Sequence, residues 1–247
     1  MLLLSELKKY GFVRRLTNLS QMRLDYIQDV VLSLIFQEHP CFVFKGGTSL
    51  WKLFKLPRFS EDLDISTGRK TNPTEDVVKK LRLLGFEAET VKNKTTGNTV
   101  FSRVRAGSKN FGWTEVSLQF SFHKEPGIPV NFHSPYPDIG DFELTVSDLN
   151  KVASDKVNAI ISRQKPRDLF DLYFLTTRHQ VRFKVDDFEL FKNAVELKRK
   201  SWKSLGPLVV GKLPDFEEVK KVVLRKAVVK RSEELQAKEP NSCAVKK

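Results

Sequence analysis

The chain has 247 residues, 40% hydrophobic and 11% aromatic, which is enough to bury a real core and excludes an intrinsically disordered protein. Lys and Arg number 43 against 30 Asp and Glu, a net charge of +13, so a large polyanion is the first partner to consider, and charge alone does not separate nucleic acid from an anionic membrane. Apolar runs such as residues 30–36 are too short to span a bilayer, the opening MLLLSELKKY lacks the basic region of a secretory signal, and Cys41 and Cys243 give no disulfide framework or metal spacing. A cytoplasmic protein with no membrane partner is expected.

Residues 20–37 place Met22, Tyr26, Ile27, Val30, Val31, Leu34 and Ile35 at helical spacing, which predicts an amphipathic helix with Ser20 as its N-cap. Residues 41–44 read as a short buried strand ended by Gly46-Gly47, and Thr48 or Ser49 can cap a following helix that runs to about Phe54. Residues 62–66 alternate Asp62 and Asp64 with Leu63 and Ile65, a second strand. A helix over 74–84 stops at Gly85, and three strand-like runs follow at 86–92, 98–105 and 113–122, the first two joined by a TTGN turn. The Pro- and Gly-rich stretch 123–141 reads as a linker, and beyond about residue 145 the patterns are helical: 147–162, 167–178, 186–202 and 215–237. The stretch from 196 onward holds 14 Lys and Arg against 7 Asp and Glu, and LRKAVVKR at 224–231 would set several cations on one helical face. Two domains are expected, 1–142 and a basic helical domain over 143–247.

Side chains at i and i+2 of a strand point to the same side, roughly 6.5–7 Å apart, so Asp62 and Asp64 converge on one face while Leu63 and Ile65 enter the core and Glu61 falls outside the pair. Two carboxylates that close repel, and a divalent cation such as Mg2+ or Mn2+ relieves the repulsion and serves displacement at phosphorus. An ordinary exposed strand face is the simpler alternative for DLD alone. Upstream, a strand, a Gly-Gly turn and a helix start would present backbone N–H groups of Gly46, Gly47 and Thr48 to a phosphate. No GK[ST] follows, so P-loop chemistry is not indicated. Arg58 and Ser60 precede the acids at alternate spacing; Arg58 could pair a triphosphate or steady Asp62.

GG followed by RFSEDLD resembles the nucleotidyltransferase superfamily related to DNA polymerase β, and FKGGTSLWKLFKLPRFSEDLDIS resembles more narrowly the AbiEii/AbiGii toxin family of toxin-antitoxin systems. A second match, SDKVNAIISRQKPRDLFDLYFL at 154–175, is similar to that family's Lys-bearing helix and RDxxDLYFL helix. In RDLFDLYFL, Asp168 and Asp171 share a face of a helix apolar nearly all round, so both need partners, with Lys156 and Arg167 available; an ion-pair knot is the structural alternative. The resemblance implies an α+β fold, a polymerase β-like mixed sheet with flanking helices followed by a helical C-terminal domain. It also implies a Mg-dependent transfer of a nucleoside monophosphate from an NTP to RNA, the 3′ end of a tRNA above all, with a cognate antitoxin as partner. On it, Asp62 and Asp64 hold metal, Ser60 and Lys156 touch the triphosphate, and Asp168 or Asp171 completes the site. The third carboxylate common in polymerase β-like enzymes is expected on the strand 114–122, where Gln119 stands and Glu115 is about 13 Å away. That departure keeps two alternatives open: an enzyme acting on a small-molecule or protein hydroxyl, and a non-catalytic RNA-binding relative.

Overall fold

The computed structural model describes residues 2–229. They contain α1 (Leu4–Gly11), α2 (Leu19–Glu38), β1 (Val43–Lys45), α3 (Gly46–Phe54), β2 (Asp62–Ser66), α4 (Thr74–Leu83), β3 (Glu87–Thr96), β4 (Thr99–Ser108), β5 (Gly112–Ser121), β6 (Gly127–His133), β7 (Asp141–Ser147), α5 (Leu149–Ser162), α6 (Pro166–Arg178), β8 (Phe183–Val185), α7 (Phe188–Glu196), a 3-10 helix (Arg199–Leu208), α8 (Phe216–Lys226) and β9 (Ala227–Val229). The chain divides into two compact units. Of the described residues, 2–152 with Gly206–Leu213 form the first, and Ala153–Leu205 with 214–229 form the second.

The first unit is built on a seven-stranded mixed sheet in the order β3-β4-β5-β2-β1-β7-β6. β1 lies antiparallel to β2 and parallel to β7, while β2 lies parallel to β5. Strict alternation along β4 and β5 sends Val100, Val104, Val116, Leu118 and Phe120 into the core, where they join Ile27, Val31 and Ile35 of α2 and Val77, Val78 and Leu81 of α4. The hairpin between β3 and β4 turns at Gly97-Asn98, inside the expected TTGN.

Several sequence expectations need correction. Helix α2 is capped by Asn18, whose Oδ1 accepts from the amides of Ser20 (2.8 Å) and Gln21 (3.3 Å), rather than by Ser20. It is not amphipathic either: every residue from Asp25 to Phe36 is buried, and its polar members pair inside the protein. Asp25 accepts from Arg14 (3.1 Å), Trp51 (2.9 Å), Lys52 (2.9 Å) and Tyr136 (2.9 Å); Asp29 accepts from Arg14 (2.9 Å), Lys52 (2.5 Å) and Ser134 (2.8 Å). Two acids against two cations leave this interior cluster neutral, the condition under which buried charge is tolerated.

The stretch 123–141 is not a linker throughout. Its middle is the edge strand β6, and Pro129 is tolerated because an edge strand has one side free of ladder bonds. Gly127 is required there, since a Cβ would lie 2.2 Å from Thr145 Cγ2.

The second unit is mainly helical, with β8 and β9 paired in parallel. Aromatic contacts Phe170–Trp202 (6.3 Å), Trp202–Phe216 (5.7 Å) and Phe183–Phe191 (5.8 Å) mark its core. The helix expected over 186–202 ends at Glu196 and gives way to the 3-10 helix. The one expected over 215–237 ends at Lys226, because Ala227–Val229 extend to pair with β8. Of the cationic face expected at 224–231, residues 227–229 are therefore strand, and 230 and 231 lie outside the described residues. Among the described residues no helix is long and apolar enough to cross a membrane.

Candidate active site

β1 passes directly into α3 at Gly46, which has a left-handed φ of +77°. A Cβ at Gly46 would lie 2.2 Å from Asp64 Oδ2, so the glycine is required twice, once for its backbone and once to give the carboxylate room. The Asp64 carboxylate thereby rests beside the first residue of α3, at the end where the helix dipole favours negative charge. The N-cap is Lys45, in extended backbone, and no side chain caps the helix. Thr48 and Ser49 are inside the first turn, not at its cap: Thr48 Oγ1 donates to the Asp62 carbonyl (2.5 Å) and Ser49 Oγ to the Gly46 carbonyl (2.9 Å). Both hydroxyls are buried in structural use, so any anion cradle here is main-chain.

Asp62 and Asp64 are half-buried on one face of β2, while Leu63 and Ile65 are fully buried on the other. Glu61 is exposed and precedes the strand. The approach to β2 is held by Gln28, whose Nε2 donates to the carbonyls of Ser60 (3.1 Å) and Glu61 (2.8 Å). α3 is fixed in turn by Lys52 and Trp51, which reach the Asp25–Asp29 cluster on α2. The backbone amides at the start of α3 and the carboxylates of β2 are thus mounted on elements tied to one interior helix.

Register places Asp64 between Lys45 of β1 and Gln119 of β5, and Asp62 beside Ser117. Gln119, the residue expected at the third-carboxylate position, is the β5 neighbour of Asp64, and Glu115 pairs with Arg103 at 3.5 Å. A carboxylate that the sequence does not single out lies further along the same face. Glu125, its side chain 5% exposed, accepts from Ser66 Oγ (2.7 Å) and pairs with Lys45 Nζ (3.3 Å), which also donates to Ser121 Oγ (3.1 Å). Burial opposes its ionisation, but Ser147, whose hydroxyl lies beside the carboxyl without a well-aligned bond, together with Ser66 and the Lys45 ammonium, holds it below the usual glutamate range.

Arg58 is buried, 1% exposed, with Nη1 donating to the Phe59 carbonyl (2.9 Å) and its backbone bridging Val209; Ser60 is buried as well.

Lys156 and Asp168 belong to the second unit. Lys156 Nζ lies 3.1 Å from Asp168 Oδ1 and 2.6 Å from Asp171 Oδ2, with both carboxylates fully buried. Arg163, a cation the sequence does not single out, grips Asp168 in a bidentate pair, Nε to Oδ2 and Nη2 to Oδ1, each 2.8 Å. Burial of Asp168 opposes its charge, but Arg163 and Lys156 together keep its carboxyl below the ordinary aspartate range. Lys198 Nζ donates to the carbonyls of Ile160 (2.7 Å) and Arg163 (2.6 Å), closing the end of α5.

Among the described residues no three or more His, Cys, Asp or Glu side chains gather as a ready metal cage. Two hard carboxylates on one strand face, at an uncapped helix start, nevertheless fit Mg2+, which usually takes one or two protein carboxylates and completes its shell with water and phosphate.

Residues 33–239 match the family model described as nucleotidyl transferase AbiEii toxin, of a type IV toxin-antitoxin system. The chain belongs to the AbiEii nucleotidyltransferase toxin family. No curated protein matches the sequence. Among solved structures, MenT4, a nucleotidyltransferase toxin from Mycobacterium tuberculosis, is similar with a TM-score of 0.63 and 20% identity over 92% of this chain and 88% of that one. A Helicobacter pylori chain solved as a candidate nucleotidyltransferase gives 0.59 and 21% over 85% and 94%, and JHP933 from the same organism gives 0.56 and 19% over 83% and 89%. At such identities these neighbours establish the fold and no more.

Proposed function

We propose that this AbiEii-family transferase moves a nucleoside monophosphate from an NTP to an RNA hydroxyl, the 3′ end of a tRNA, and is silenced by a cognate antitoxin. The single observation that carries the reading is the seat of Asp64: its carboxylate occupies the space left by the absent Gly46 Cβ, beside the uncapped start of α3. Metal-holding oxygens and phosphate-facing amides then meet at one point.

In the reaction the RNA hydroxyl oxygen forms a bond to the α-phosphorus, the bond from that phosphorus to the oxygen bridging to the β-phosphate breaks, and pyrophosphate leaves. Asp62 and Asp64 would hold Mg2+, which when bound supplies charge neutralisation at the transferred phosphoryl group. The amides of Gly46, Gly47 and Thr48 hold the departing phosphates, assisted by the α3 dipole. Gln119, beside Asp64, can orient the incoming hydroxyl but cannot take its proton, which leaves the carboxylates and solvent as acceptors. Lys156 is assigned to the triphosphate by the family motif, and Asp168 and Asp171 hold its ammonium in place. Arg58 and Ser60 act as supports of the strand entry, which fits their burial better than contact with nucleotide.

Incubation with each labelled NTP, Mg2+ and total tRNA, intact or oxidised at its 3′ diol with periodate, tests this. Label entering intact but not oxidised tRNA is expected. Label on protein or on a small molecule only would overturn the RNA assignment.

A further inference from the structure

On one face of the first unit's sheet, β4 and β5 pack with α2 and α4, while the alternate side chains of β3, β4 and β5 are largely exposed. On the opposite face, register aligns the side chains of β3, β4, β5 and β2 in rows: Lys94, Phe101, Gln119 and Asp64 in one, Lys92, Arg103, Ser117 and Asp62 in the next, then Glu89, Arg105 and Glu115. Trp113, in phase with Gln119 and six residues before it on β5, is 41% exposed and stands about 20 Å along the strand. Two aromatic rings on this face each carry a cation from a neighbouring strand: Lys92 Nζ lies 5.5 Å from the Phe101 ring centroid, and the Arg105 guanidinium lies 4.8 Å from that of Trp113.

Acids on this face gather toward Trp113, where Arg105 pairs with Glu89 (3.6 Å) and Arg103 with Glu115 (3.5 Å), and Glu87 is near. These pairs are exposed and therefore weak, open to exchange for a phosphate. Lys92 and Lys94, at the Phe101 end, have no acidic partner among the described residues. An uncovered sheet with aromatics on adjacent strands, each flanked by cations, suits a single-stranded nucleic acid: bases stack on the rings while phosphates meet the ammonium and guanidinium groups. A duplex offers no free base faces to Phe101 and Trp113.

We infer that the open face of β3, β4 and β5 is the docking track for a single-stranded stretch of the RNA acceptor, with Phe101 and Trp113 as stacking stations and Lys92, Lys94 and Arg103 as phosphate contacts. The track ends in the row that contains Gln119 and Asp64, so it delivers a strand terminus to the carboxylate pair. This rests on the RNA-transferase reading, but its test does not require turnover.

Trp113 gives a direct readout, because the other two tryptophans, Trp51 and Trp202, are buried. The full chain carrying Asp64→Asn is titrated, without NTP, with a fluorophore-labelled, unstructured oligoribonucleotide about 12 nucleotides long. Anisotropy and tryptophan emission are followed between about 50 and 200 mM salt. Expected are binding accompanied by quenching, about 5- to 150-fold weaker binding in Trp113→Ala, and near-normal affinity without the quench in Trp113→Phe. Lys92→Ala with Lys94→Ala should lower the salt slope by about 1.4. Unchanged affinity in both Trp113→Ala and the double lysine variant would place the RNA elsewhere and overturn the inference. Failure of the oligonucleotide to bind at all, as when the face serves a protein partner, would overturn it too. Transfer without track binding, or track binding without transfer, separates this inference from the activity it rests on.

Discussion

Gly46 and Asp64 occupy one space: a methyl group on the glycine would stand 2.2 Å from the carboxylate oxygen. Gly46→Ala should therefore displace Asp64 as well as strain a φ of +77°, and transfer should fall by at least about 100-fold, the usual effect of moving a catalytic group by an ångström. Gly85→Ala is the control, since Gly85 also has positive φ (+87°) but no neighbour within 4 Å of the place its methyl would take. It should cost about 1–2 kcal/mol of stability and spare activity. Thermal melts and initial rates of both variants decide whether the close approach or the backbone matters.

Thr48→Val removes the hydroxyl that holds the Asp62 carbonyl. The carbonyl loses its buried partner, so stability should drop by about 1–2 kcal/mol. Because the same bond fixes α3 against β2, kcat should fall about tenfold with KM changed less, read from steady-state kinetics over a range of NTP concentrations.

Lys156→Ala leaves Asp168 with Arg163 but strips Asp171 of the ammonium 2.6 Å away. Breaking a buried pair from one side typically costs about 3–5 kcal/mol, so denaturant midpoints should fall sharply. Adding Asp171→Ala should restore part of the stability and none of the activity. Full recovery of activity in the double variant would remove Lys156 from the reaction.

Burial opposes the charge of Asp25, yet Arg14 and Lys52, with hydrogen bonds from Lys52 and Trp51, hold its carboxyl down to about 2. Asp168 is also depressed. For both, the folded value is below the unfolded one, so their contribution is full above the ordinary carboxylate range, near pH 4, and is lost as pH falls through the folded values. Urea midpoints should be flat from neutral pH to about 5 and decline between about 4 and 2. Asp25→Asn should lower the neutral-pH midpoint and flatten that decline.

What could be read in the sequence was local. Alternation at 62–66 fixed which acids share a face, and Gly46-Gly47 marked the strand end, because both depend on neighbours in the chain. The interior cluster was hidden because its members are remote: Asp25 meets Tyr136 at a separation of 111 residues, and Asp25 and Asp29 on α2 only looked like a solvated side. Glu125 went unnoticed for a related reason. Its Pro- and Gly-rich surroundings resemble a linker until β6 pairs with β7 and Ser66 is found beneath the carboxylate. Gly46 itself was read as room for phosphate, whereas the space is first needed by Asp64.

The central claim is that Asp62 and Asp64 run nucleotidyl transfer to RNA. Its most direct test is incorporation from α-labelled NTPs into tRNA by the wild-type chain and by Asp64→Asn, side by side, with and without a chelator. Label in RNA that requires both Asp64 and a divalent cation is the predicted result. Equal labelling by Asp64→Asn, or none by either protein with any NTP, would contradict the account.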